Sequence, residues 1–125
     1  HTWSFLAEAD AALFGGNNTA LKLINPISSE LDTMRPSLLP NLIQAVKRNA
    51  ARGFSHLNVA EVGLQFSGLG EAGQQVVACG LRSGSVPKTP LTDTRTQDVY
   101  DLKADALAII EQCDFDSSQL QIRSE

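Results

Sequence analysis

A chain of 125 residues, 42% hydrophobic and 19% charged, has enough apolar side chains for one ordinary core and too many to stay disordered. Fourteen acidic against ten basic residues leave a formal charge of -4, which argues against nonspecific nucleic-acid binding by the chain as a whole and leaves room only for a local basic patch. No apolar run approaches the roughly twenty residues of a membrane span. Cys79 and Cys113 form neither a disulfide framework nor a C-x-x-C pair, so a single domain in a reduced, cytoplasmic setting is expected. His1, without an initiator methionine or a secretory pattern, reads as a cut within a longer chain.

Thr2-Trp3-Ser4-Phe5-Leu6 alternates enough for a strand, and alanine-rich Glu8–Phe14 reads as a short helix stopped by Gly15-Gly16 and Asn17-Asn18. Ala20–Ile24 reads as a second strand, closed by Asn25-Pro26. Met34-Arg35-Pro36 is pushed towards extended geometry by its proline and leads into the longest helix signal, Leu38–Arg52. Ser37 is its predicted N-cap, Pro40 falls in the first turn where a missing N–H costs little, and Gly53 is placed to turn left-handed at the end. Leu38, Leu39, Leu42, Ile43, Val46 and Ala50 form its apolar stripe, with Asn41, Gln44, Lys47, Arg48 and Arg52 mostly opposite.

Leu57–Phe66 is predicted to be a half-buried strand, with Ala60, Val62, Leu64 and Phe66 on its apolar face and Glu61, Gly63 and Gln65 on its polar face. Gln75–Arg82 is its expected antiparallel partner across Ser67–Gly73. Ser83–Gln97, rich in Gly, Pro and Thr, reads as a surface loop. Leu102, Ala106, Ile109, Ile110 and Cys113 then give a helical stripe that Asp98 or Asp101 can cap, and Gln119–Arg123 reads as a last strand. Strands interrupted by helices with hairpin-like connections make the expected class α+β, with a mostly antiparallel sheet flanked by helices.

The chemical candidates are weak. Gly68-Leu69-Gly70-Glu71-Ala72-Gly73 matches G-x-G-x-x-G, but a strand rather than a helix follows, so a phosphate would meet no helix N-terminus; the stretch reads as a hairpin loop. His56 has no companion ligands at metal spacing, Cys79 no basic partner, and Ser28, Ser29 and Ser37 no strained elbow. Lys47, Arg48 and Arg52 either touch RNA phosphates or complement the carbonyl end of their helix. Arg35, between Met34 and Pro36, reads as half of a structural ion pair with Glu30 or Glu61.

The ordered peptides NP-I-S-S-E-L from Asn25, M-R-P-S-L-L-P-N-L from Met34, R-N-A-A-R-G from Arg48, A-E-V-G-L-Q-F from Ala60 and D-V-Y-D-L-K-A-D from Asp98 resemble the synthetase-like module of the bacterial phenylalanyl-tRNA synthetase β chain. The resemblance implies a class II synthetase fold, continued beyond this piece at its C-terminal end. Active class II synthetases carry an arginine and then a glutamate where this chain has Ser67 and Leu69, and neither of these clamps a phosphate by charge. The implied role is therefore noncatalytic: packing against the α chain of the ligase, which would hold ATP and magnesium, with tRNA a partner only of the whole complex. No catalytic, cofactor or metal residue is assigned here; Arg35, Pro36, Leu39, Leu42, Arg48 and Glu61 are the structural or interface candidates, and the resemblance would point Glu61 and Gln65 towards the cleft. Self-association through a bared partner surface is a further expectation. A free-standing interaction module and a degenerate ATP-using ligase are the alternatives.

Overall fold

Proline and glycine punctuation shapes the first of two units, His1–Ser83, around one helix and one long hairpin. The computed structural model describes residues 1–86, 88–91 and 93–115, and its second unit runs Gly84–Glu125. The first unit begins with β1 (Phe5–Leu6) and α1 (Glu8–Ala12), reaches β2 (Thr33–Met34), and continues into α2 (Leu39–Ala50), β3 (Leu57–Phe66) and β4 (Gln74–Ser83). β1 pairs antiparallel with β2. The Arg35 N–H donates to Ser4 O at 2.9 Å and carries the pairing one step beyond β1, while Trp3 O turns aside to accept from Asn41 Nδ2 at 3.1 Å.

The expected strand at Ala20–Ile24 does not form. Asn18 Oδ1 accepts from the Ala20 N–H at 3.0 Å and closes a 3-10 turn over Thr19–Leu21, so a local side-chain bond wins over extended propensity. Lys22 alone keeps a bridge, to Thr33.

α2 starts and ends as its residues dictate. The N-cap is Leu38, not Ser37 as expected, and is already in helical geometry; Ser37 Oγ still accepts from the Leu39 N–H at 3.2 Å from one residue earlier, and Pro40 occupies the first turn. At the other end Gly53 has φ 90°, its N–H reaches Ala50 O at 3.0 Å, and the Phe54 N–H reaches Asn49 O at 3.1 Å. These are the paired bonds of a glycine-terminated helix. α2 lies against both β3 and β4.

β3 and β4 pair along their whole length, from Leu57 opposite Ser83 to Phe66 opposite Gln74. The loop between them carries a 3-10 turn over Glu71–Gly73 and then β4, so the glycine-rich stretch opens a strand and not a helix. The two faces of β3 separate as the alternation requires, but their roles are reversed. Leu57, Val59, Glu61, Gly63 and Gln65 are covered, whereas Ala60, Val62 and Leu64 are exposed. Phe66 is buried at the strand end, where its N–H bonds Arg35 O at 3.0 Å. The reversal has a physical cause in Arg35: its buried guanidinium needs a carboxylate and a side-chain-free position, and both Glu61 and Gly63 lie on the odd-numbered face. The core collects Leu6, Ala11, Leu21, Leu38, Leu42 and Phe66.

In the second unit the stretch expected to be a featureless loop contains a short antiparallel pair, β5 (Ser85–Val86) with β6 (Arg95–Thr96). α3 (Val99–Gln112) follows, opened by a complete capping box. Asp98 accepts from the Tyr100 and Asp101 N–H groups, and Asp101 accepts from the Asp98 N–H. Its apolar stripe is not sealed: Leu102 and Ile109 are about half exposed, and Cys113 is exposed. The strand expected at Gln119–Arg123 lies outside the described residues. The described residues thus form a small α+β structure of three helices and short two-stranded antiparallel pairs, where one mostly antiparallel sheet was expected. No helix among them is long and apolar enough to cross a membrane.

Candidate functional site

Arg35 is the point where the parts of the first unit meet. Its backbone joins Ser4 to Phe66, and its side chain is buried, only 3% exposed. Nε donates to Leu64 O at 2.7 Å, and Nη1 donates to Glu61 Oε1 at 3.0 Å and to Thr2 Oγ1 at 2.9 Å. Of the two carboxylates considered from the sequence, Glu61 is therefore the partner. Its second oxygen, Oε2, accepts from the Thr2 N–H at 3.1 Å and from Thr2 Oγ1 at 2.7 Å. Burial alone would push the Glu61 carboxyl up, but the hydrogen bonds from Thr2 and Arg35, with the guanidinium charge, hold it below its ordinary value.

Glu61 thus does not face a cleft from a polar strand surface. It is 7% exposed, inside the molecule, and spends its charge on Arg35. Opposite it on β4 stands Cys79, whose thiol is pushed up by burial and by the neighbouring Glu61 charge, the reverse of what a nucleophile needs. Leu42 is also buried; Pro36 and Leu39 are half-buried, and Arg48 is exposed on α2. Of the six structural or interface candidates, Arg35 and Glu61 are brought together as an internal ion pair, while Arg48 is the one left fully on the surface.

Sequence reasoning missed two members of this cluster. Gly63 admits the guanidinium: a Cβ there would stand 2.6 Å from Arg35 Nη2 and 3.3 Å from Glu61 Oε1. A glycine interrupting a strand pattern is a recognisable signal of close approach. Thr2 gave no signal, because its bonds to Glu61 span 59 positions.

Two surfaces remain. A shallow cleft runs past Pro36, Gln65, Phe66, Ser67 and Gly73, and its lining carries no charged side chain. The outer face of the β3–β4 ribbon exposes Ala60, Val62 and Leu64 beside Val76 and Ala78, with Val62 60% and Val76 67% exposed. Among the described residues no group of three or more His, Cys, Asp or Glu side chains is placed to hold a metal ion.

A helix lying on a two-stranded ribbon, with a buried Arg–Glu pair tying the segment before the helix to β3 and the ribbon's apolar outer face bare, defines an α+β packing module. Its buried ionised pair serves internal cohesion. Sequence comparison gives the lineage. The chain belongs to the family described as the phenylalanyl tRNA synthetase beta chain CLM domain, matched across residues 1–125. It is 53% identical over 126 residues to the phenylalanine–tRNA ligase beta subunit of Rhodospirillum rubrum, and 45% identical over 125 residues to that of Paramagnetospirillum magneticum. Each alignment takes in 99% of this chain and 16% of the relative, so the chain spans about a sixth of their length.

Proposed function

We propose that this chain is a noncatalytic packing module of a phenylalanine–tRNA ligase β chain, built on a class II synthetase-like fold and joined to the α chain in a cytoplasmic heterotetramer. ATP and magnesium belong to the α chain in this reading, and tRNA to the assembled enzyme. The observation that carries it is the bare outer face of the ribbon, where Ala60, Val62, Leu64, Val76 and Ala78 stand together as exposed apolar neighbours on two paired strands. An apolar patch of this kind is what an assembly covers. Ser67 and Leu69, where active class II synthetases carry charge, support the noncatalytic part.

The test is co-expression of the full β chain with a cognate α chain, followed by size exclusion with light scattering. Stable co-elution is expected, and β chains carrying Val62→Glu with Val76→Glu should lose it. Failure of the unmodified β chain to co-elute with α would sink the assignment. Undiminished assembly of the double variant would remove the ribbon face from the partner surface.

A further inference from the structure

Charge in the first unit is sharply segregated. From Thr33 to Ala60 the sequence contains Arg35, Lys47, Arg48 and Arg52 and no carboxylate, in a chain with fourteen acidic residues. Arg35 is buried and paired, so the uncompensated charge is that of Lys47, Arg48 and Arg52. All three are exposed, and among the described residues none of them makes an ion pair or a side-chain hydrogen bond. Lys47 and Arg48 stand in the last turn of α2, and Arg52 follows just beyond its end, in the turn that Gly53 closes. Just beyond the Gly53 turn, Phe54 is 59% exposed.

Three carboxylates of this unit are engaged or distant. Glu61 is held by Arg35, and Asp10 accepts from Gln44 Nε2 at 2.6 Å, one turn back towards the start of α2. Glu71 lies in the loop at the opposite end of the ten-residue strands, roughly 30 Å along the ribbon. Helix-end electrostatics favour one or two cations here, but they do not require three, two of them arginines, with an exposed aromatic ring beside them.

We infer that the Lys47, Arg48, Arg52 and Phe54 end of α2 is a contact for the phosphate backbone of the ligase's RNA substrate. This rests on the reading of the chain as part of a tRNA ligase. Planar guanidinium groups match phosphate oxygens two at a time, the lysine adds a point charge, and the ring offers a stacking or sugar-packing surface. The chain's net charge of -4 gives no general attraction for RNA, so the contact is local and orients the polyanion. An acidic protein surface would use the same charges, and the experiment separates the two.

The assembled ligase, with full-length β chain, is made with unmodified sequence, with Lys47→Gln, Arg48→Gln and Arg52→Gln together, and with Arg48→Gln or Arg52→Gln alone. tRNA binding is measured against salt, and phenylalanine-dependent ATP–pyrophosphate exchange, which needs no RNA, reports assembly. The triple variant is expected to bind tRNA on the order of ten- to a hundredfold more weakly at 0.1 M salt. Its log–log salt slope should flatten by about 2, and each single variant's by about 1. Unchanged affinity and slope in an assembled triple variant overturn the inference. Loss of subunit assembly in the single variants also overturns it, assigning the patch to a protein contact. If the unmodified β chain neither assembles nor supports exchange, it is the ligase reading that has failed.

Discussion

Replacing Gly63 with alanine tests the central packing claim with a single methyl group. The new Cβ would lie 2.6 Å from Arg35 Nη2, about 0.8 Å inside the 3.4 Å at which ordinary contact begins. A flexible arginine tip would normally swing aside at little cost. Here the same planar group is held through Nε by Leu64 O at 2.7 Å and through Nη1 by Glu61 Oε1 at 3.0 Å, so moving Nη2 away by about 0.8 Å weakens both bonds. Weakening two charge-assisted bonds in a buried site costs about 2–4 kcal/mol, against a gain of about 0.5–1 kcal/mol from removing a strand glycine. The net expectation is a loss of about 2–3 kcal/mol and a fall of roughly 10 °C in Tm. Urea and thermal unfolding of Gly63→Ala measure it. In an Arg35→Met, Glu61→Leu background the same alanine should be neutral or slightly stabilising, because the pinned guanidinium is gone. An equal loss in both backgrounds, or a stabilised single variant, would refute the argument that Gly63 exists to admit Arg35.

Glu61 has a folded-state value below its ordinary 4.5, so its contribution is fully present above about pH 4.5 and is lost as the pH falls through the lower folded value. Urea midpoints measured from pH 7 down should therefore fall less steeply at the acid end in Glu61→Gln than in the unmodified chain. At neutral pH, Glu61→Ala leaves the Arg35 charge buried without its carboxylate and is expected to cost about 3–5 kcal/mol, read by the same titration. Gly53→Ala forces a side chain into a φ of 90° at the helix end and should cost about 1 kcal/mol or more. Asp98→Ala removes the cap of α3 and should cost about 1 kcal/mol, seen as lost helicity and faster amide exchange in its first turn. In a thiol-alkylation time course Cys113, which is exposed, should react first, and Cys79, half-buried with its thiol pushed up, should lag.

Local chemistry carried most elements into view from the residues alone. Ser37, Pro40 and Gly53 bounded α2, the long run Leu57–Phe66 announced β3, and Asp98 with Asp101 opened α3, because caps, prolines and glycines act within a few positions of themselves. Where a second local interaction competed, the reading slipped. Asn18 folded Thr19–Leu21 into a turn, and Ser85–Val86 found Arg95–Thr96 across a stretch without periodicity. The α3 stripe was legible as a pattern, but its partial exposure was not, since periodicity records a face and not what covers it.

The same limit decides the site. Alternation along Leu57–Phe66 determined that Glu61 and Gly63 share one face and Val62 and Leu64 the other, and the ordered peptides from Asn25 to Asp105 pointed to the lineage that the family match over residues 1–125 supports. Which face turns inward was a tertiary decision. Apolar burial by itself would have chosen Val62 and Leu64, but a buried arginine must meet a carboxylate and find space for its guanidinium. Glu61, Gly63 and Thr2 supply these only through contacts 26 to 59 positions apart in the chain.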